Sequence, residues 1–519
     1  MRKVIAVALS ALLITATCST ISAAAAPKAG ATCAKANQSQ TANGVKYTCV
    51  KSGKKLVWKS LGLVQTKPSA KSVDFSKTYS TDDGYFTMFT DPCEMDKNIP
   101  SELNDVQNYF NNFSRCAGIL QLGKYSLGSK RPTSVFDPAS KFSNVEPCKI
   151  VTPQNNRSNL GFTTASPERN EWDKSSKYPA PNTVIQLIPI YSNETAQPLK
   201  SPAQDYKVFL DFYRNWIEYS SDFGSNVTVR IPSSYIKMDT PVGGFQLKHT
   251  LRWDSPEIVK FNKALVEATD PVIDFSGVNI AIIVPPAGTE AYVFGQTGVG
   301  ALNTKEGKVS NAMSEYAALA KNPQDSPNTN ISHPFWWIHE MMHAGVGFDD
   351  HYGDSKNNIN SEYGMGNLTL MTPWGGDLTT WEKWKLNFMQ DSQVQCKTDT
   401  SPSVHWIAPS TVQTQQSKAI VIPVSNSKAV VIETLRPGGL FYKHPNQSQG
   451  AIIYEVDATQ DSHGMGMKLS LPIGRKVESN NIFMASAPLK QGESTINNGY
   501  KITVVESGTF GDVIKVEKA

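Results

Sequence analysis

Apolar positions along this chain follow three rhythms. The first is an apolar run at residues 4–14, interrupted only by Ser10, directly behind Arg2 and Lys3. It is too short to span a membrane, and Ser22-Ala23-Ala24-Ala25-Ala26 follows with small residues suited to cleavage. Residues 1–26 therefore read as a secretory signal peptide. The middle of the chain mixes the periods of strand and helix. Residues 183–191 (TVIQLIPIY) are β-branched and apolar and predict a strand. Residues 205–220 return Phe209, Phe212, Tyr213 and Trp216 at near-helical spacing, which predicts a helix with an aromatic core face. Strands follow at 226–231 and 235–238, an amphipathic helix at 256–270 and a buried strand at 278–284. Residues 285–308 are Gly-rich and predict irregular chain. After residue 396 the apolar runs become short and evenly spaced, at 419–424, 429–434, 450–457, 468–471, 500–506 and 513–516. Turns such as Pro437-Gly438-Gly439 and Asn497-Asn498-Gly499 separate them. That pattern predicts an all-β domain, sandwich-like, over 396–519.

Composition fills in the rest of the plan. A chain of 519 residues carries two or three domains. Cys18 lacks the large apolar residue that a lipoprotein signal places before its cysteine, so plain secretion is the expectation. Six cysteines follow the signal peptide: Cys33, Cys49, Cys93, Cys116, Cys148 and Cys396. In an oxidising compartment these pair. Cys33 with Cys49 would staple a small module over 27–63, which is too small for a large core of its own. Attachment to a cell envelope is one use for such a module. The remaining four cysteines allow three pairings. Residues 64–80, rich in Ser, Thr and Lys, read as a linker. Residues 81–161 read as a pro-segment or as an N-terminal lobe of the domain that runs to 395. Formal charge adds an exclusion. With Arg2 and Lys3 removed from 50 basic residues, 48 remain against 46 acidic ones, which argues against a nucleic-acid partner, because phosphate binding needs a basic surface. The expected molecule is a secreted monomer.

The chemistry concentrates in His333–Tyr352, HPFWWIHEMMHAGVGFDDHY. Four of the eight histidines, His333, His339, His343 and His351, fall in this stretch. Positions i and i+4 lie on one helix face, so His339 and His343 can offer two imidazoles to one metal ion. Glu340 is placed to address a water on that metal. H-E-x-x-H on a helix suits zinc hydrolysis, with the Glu as general base and then acid. A chance H-E-x-x-H in so His-poor a chain arises on the order of once in a hundred. The competing reading is a buried helix whose histidines are satisfied by hydrogen bonds. The third ligand depends on where the chain turns. In H-E-x-x-H-x-x-G-x-x-H/D the strict spacing puts Val346 at the glycine and Asp349 at the ligand. One extra residue puts Gly347 at the turn and Asp350 at the ligand. The second register is preferred, because glycine tolerates a positive φ; Asp349 and His351 stay open as alternatives.

With these residues in view, the sequence resembles the immune inhibitor A family of secreted bacterial metallopeptidases. The resemblance rests on Gly347-Phe348-Asp349-Asp350-His351-Tyr352 after the HEMMH. Leu370-Met371-Thr372-Pro373-Trp374 is similar to that family's Met-turn, and residues 378–386 resemble the helix closing its catalytic domain. Val272-Ile273-Asp274-Phe275 and residues 280–285 resemble the strand before the metal helix. The resemblance implies an α+β, zincin or metzincin-like catalytic domain over 81–395. Its zinc would be held by His339, His343 and Asp350, with Glu340 as catalytic base and a protein or peptide as substrate. It also implies an edge strand that pairs with substrate backbone. Met371 would lie beneath the metal, though the Tyr that often follows such a Met is missing. The oxygen-rich loop at 353–367, with Asp354, Asn357, Asn358, Asn360 and Glu362, is a candidate calcium site; a solvated loop is the competing reading. Two other functions compete with the endopeptidase. One is a zinc amidohydrolase acting on envelope polymers. The other is a non-catalytic envelope protein that keeps the metal for structure. An intact Glu340 argues against the latter, since a structural zinc has no use for a base.

Overall fold

The structure, a computed structural model, describes residues 28–42, 45–64, 78–81, 84–87, 127–154, 156, 158–165, 182–222, 224–248, 250–320, 334–343, 347–351, 364–366, 368–371, 376–436, 439–441, 448–460, 466–475, 484 and 486–519. The signal peptide, most of the expected linker, Cys93, Cys116, His333, Tyr352, residues 372–374 and nearly all of the candidate calcium loop lie outside them.

The first three strands form an antiparallel meander: β1 (Ser39–Ala42), β2 (Val45–Ser52) and β3 (Lys55–Val64). Cys49 pairs with Trp58 across β2 and β3, and both are buried. A disulfide joins Cys33 to Cys49, the staple that a layer this thin needs. The end of β3 then pairs Leu63 with Ile231 and Val64 with Arg230, so the meander continues the main sheet. A short hairpin, β4 (Thr78–Thr81) with β5 (Gly84–Thr87), and a parallel pair, β6 (Val151–Thr152) with β7 (Thr163–Thr164), follow.

The main sheet is built from β8 (Asn182–Tyr191), β9 (Asn226–Ile231), β10 (Ile236–Lys237), β11 (Ile280–Val284), β12 (Thr297–Thr304) and β13 (Gly307–Ser314). In space the order is β9-β8-β11-β13-β12. The first four run parallel, β10 adds a parallel stub to β8, and β12 returns antiparallel at the edge. Parallel strands must be covered on both faces, and every residue of β11 is buried. Period two divides the strands between two clusters. Ile185, Leu187, Ile280 and Ile282 meet helix α1 (Pro202–Ser220) and the short helix α3 (Pro334–Met341). Ile188, Ile190, Ala281 and Ile283 meet helix α2 (Pro256–Thr269) on the other face. Both long helices open as their sequences prescribe. Ser201 and Gln204 form a reciprocal cap on α1, Ser255 caps α2, and each helix has proline in its first turn.

Residues 285–308 differ from expectation. They hold all of β12 rather than irregular chain, and a hairpin links it to β13. The register shifts around Gly300, where φ is +70°, and that bulge breaks the alternation by which a strand is read. The 235–238 strand shrinks to β10.

The last third begins with helix α4 (Thr380–Lys385) and β14 (Val394–Cys396). Then come β15 (Ser403–Ile407), β16 (Ala419–Ser425), β17 (Lys428–Leu435), β18 (Gly450–Asp457), β19 (Met467–Leu469), β20 (Ser494–Asn497), β21 (Tyr500–Gly508) and β22 (Gly511–Lys518). They make a five-stranded sheet, β14-β16-β17-β18-β19, and a four-stranded one, β15-β22-β21-β20. Ile420, Ile432 and Ile453 of the first share a cluster with Ile502, Val504 and Ile514 of the second. The alternate residues Val421, Val431 and Ile452 face Trp381 and Trp384 of α4, together with Ile150 and Leu160. Residues 133–160 are bound along these sheets. Asp137 N donates to Val404 O at 2.8 Å, Val151 N donates to Asn426 O at 2.7 Å, and a disulfide joins Cys148 to Cys396 across 248 residues. The chain is thus mixed α and β, with far more strand than helix. Among the described residues no helix is long and apolar enough to cross a membrane.

Candidate metal centre

Helix α3 buries Trp337, Ile338 and Met341 against α1 and the sheet. The same packing fixes the direction in which His339, Glu340 and His343 project. The helical path runs on through His343, and Gly347 has a φ of +75°. Gly347 N donates to His343 O at 3.0 Å, and Phe348 N donates to Met342 O at 3.1 Å. Each bond spans one residue more than in the usual glycine-ended helix terminus. That wider turn accommodates the extra residue by which this chain departs from H-E-x-x-H-x-x-G.

Both imidazoles are held from behind. His339 Nδ1 donates to Leu370 O at 2.8 Å, and His343 Nδ1 donates to Phe348 O at 2.5 Å. A carbonyl only accepts, so each Nδ1 carries its proton and each Nε2 is turned forward. The two Nε2 atoms lie 3.1 Å apart. Asp350 Oδ1 lies 3.2 Å from the first and 3.1 Å from the second. Three electron-rich atoms thus converge, an arrangement that calls for a cation. Tetrahedral zinc with bonds of about 2.0–2.1 Å has ligand atoms about 3.3 Å apart, so the donor set fits that ion in both chemistry and spacing. Burial alone would lower the His343 imidazole. The Asp350 carboxylate outweighs it, with help from Glu340 and the Phe348 carbonyl, and lifts it to about 9. Burial would likewise raise Asp350, but the two imidazoles hold it below the usual carboxylate range. A metal competes with that shared proton for the same position.

The alternative ligands stand elsewhere. His351 is buried and turned away, with Nε2 3.0 Å from Glu382 Oε1 of α4. Asp349 is not in the convergent group, which consists of His339, His343 and Asp350. Glu340 is partly exposed on the same helix turn as the two histidines. Met371 is buried in the cluster that holds Met341 and Met342, and its carbonyl accepts from His351 N at 2.8 Å.

Three neighbours of the site carry no signal that a motif search reads. Leu370 contributes only its carbonyl. Asn159, far upstream, donates through Nδ2 to Gly347 O at the metal turn. Glu315, just past β13, is fully buried and accepts from Gln296 Nε2 at 2.7 Å. Burial, then the charge of Glu340, pushes Glu315 well above its ordinary range. Glu382 did have a signal, since Thr379-x-x-Glu382 is a helix-capping box. β12 lies at the edge of the sheet, where Asn262 Nδ2 donates to Val299 O at 2.6 Å. No protein-family model matches this chain, and no curated protein matches it.

Proposed function

We propose that the chain is a secreted zinc endopeptidase of the immune inhibitor A type. One observation carries the reading. His339 Nε2, His343 Nε2 and Asp350 Oδ1 all lie within 3.2 Å of one another, with Glu340 on the same helix turn. Three protein donors are the number found in catalytic zinc sites, whereas structural sites close with four. The disulfides suit an exported protein.

His339, His343 and Asp350 would hold the ion, and bound zinc would acidify water and polarise the scissile carbonyl. The Leu370 and Phe348 carbonyls keep both histidines in the tautomer that binds metal. Glu340 takes a proton from the attacking water and delivers it to the departing amine. Its partial exposure gives it access to both.

The test is zinc content and casein cleavage for the natural chain and Glu340→Gln. The expected result is about one zinc in each, with cleavage by the natural chain alone and at least about 100-fold loss in the variant. Absence of zinc under non-chelating conditions would overturn the metal reading. Zinc without cleavage of casein, other peptides or envelope polymers would favour a non-catalytic metal protein.

A further inference from the structure

We propose that Glu382 is a positioning residue of the metal centre, holding the turn that supports His339 and the turn that carries Asp350 through its two carboxylate oxygens without touching a ligand. This inference rests on the zinc reading above.

Glu382 lies on α4 and is fully buried. Oε2 accepts from Thr369 Oγ1 at 2.9 Å and Oε1 faces His351 Nε2 at 3.0 Å. The first bond reaches the turn that supports His339. Thr369 Oγ1 also accepts from Met371 N at 3.2 Å, so Leu370 is pinned from both sides, and Leu370 O is the atom that holds His339 Nδ1. The second bond reaches the residue directly after Asp350. His351 is itself fixed by its backbone, N to Met371 O and O from Met365 N, both at 2.8 Å. The two turns are therefore bonded to each other and to one carboxylate.

A capping glutamate ordinarily serves its own helix, and Glu382 does so through Thr379 N at 2.8 Å. The bonds to Thr369 and His351 exceed that duty. Together the donors offset the cost of burying a carboxylate, and they keep its direction fixed.

The experiment compares zinc affinity, by chelator competition on the full chain, with the absorption spectrum of the cobalt-substituted protein. Glu382→Gln places an amide donor among these donors. It should weaken zinc binding by about 10–100-fold and shift the cobalt bands. Thr369→Val removes one link only and should weaken it by about 10-fold. Glu433→Gln is the control. Its carboxylate accepts from Thr380 N at 2.5 Å at the start of the same helix, a bond that reaches neither turn. It should lower the melting temperature yet leave zinc affinity within about twofold and the cobalt bands unmoved.

Equal affinity losses in Glu382→Gln and Glu433→Gln would overturn the inference, as would an unaltered cobalt spectrum in Glu382→Gln. If Glu382→Gln does not fold, Thr369→Val decides: weaker zinc supports the inference and unchanged zinc overturns it. A natural chain without zinc overturns the metal reading and this inference together. Normal zinc in the natural chain with unaffected variants overturns this inference alone.

Discussion

Asp350 shows what one residue can and cannot reveal before the chain is folded. His339, Glu340 and His343 are legible because their spacing is the repeat of a helix. The third donor depends on the turn, and Asp349, Asp350 and His351 differ in nothing that spacing can see. What separates them is the wide terminus at Gly347, together with a buried partner, Glu382, that draws His351 away. Gly347→Ala places a side chain at φ +75°, which costs about 1–2 kcal/mol and displaces the chain leading to Asp350. Chelator competition should show zinc affinity falling, with the helix itself intact by circular dichroism. The metal-free chain should also respond to pH in a defined direction. His343 is raised from 6.5 to about 9, so its contribution is fully present below pH 6.5 and is lost as pH rises through about 9. Thermal melts of chelated protein should show stability declining over that interval. The stabilisation conferred by added zinc should grow over the same interval, since zinc then no longer displaces a proton.

At the scale of elements, period was a good guide where the sequence keeps a single rhythm. Both long helices, β8, β9, β11, β16 to β19, β21 and β22 fall where alternation, apolar runs or helical spacing put them. Ser201 and Ser255 mark the helix starts in the sequence itself. The reading failed where an element is bulged or brief. β12 is broken at Gly300, and β15 and β20 are only five and four residues long. The element most exposed to a single change is α1. Its Trp216 is fully buried in the core cluster that the helix shares with the main sheet, and donates from Nε1 to Gly376 O at 2.9 Å. Trp216→Phe removes the donor and part of the volume and should cost about 1–3 kcal/mol; Trp216→Ala should cost about 3–5 kcal/mol. Denaturant unfolding would measure both. A cost below about 0.5 kcal/mol for the alanine variant would show that α1 does not pack as described.

For the whole molecule, the sequence allowed residues 81–161 to be either a pro-segment or a lobe, and it allowed three pairings for four cysteines. Neither question has a local answer, because the partners of Cys148 and Val151 lie some 250 residues away. The structure ties residues 133–160 to the last third by backbone bonds, by Trp381 Nε1 donating to Leu160 O at 3.0 Å, and by the Cys148–Cys396 bond. Proteolysis that nicks the chain both before residue 127 and between residues 165 and 182 should therefore leave residues 133–160 attached under non-reducing electrophoresis and release them only after reduction and unfolding. Replacing both Cys148 and Cys396 by serine should destabilise the chain by about 2–5 kcal/mol, as read by its melting temperature.

That same disulfide sets an order of events in time. The main sheet, helices α1 to α3 and all three residues of the candidate metal centre lie between its two cysteines in the sequence. In a chain emerging from its N-terminus, Cys148 cannot form this bond until Cys396 appears. Every part of the centre has been made by then. Closure of the ring is thus a late mark of completion. A thiol-trapping reagent applied during synthesis would sort finished molecules from those in which the metal helix exists but the ring is still open.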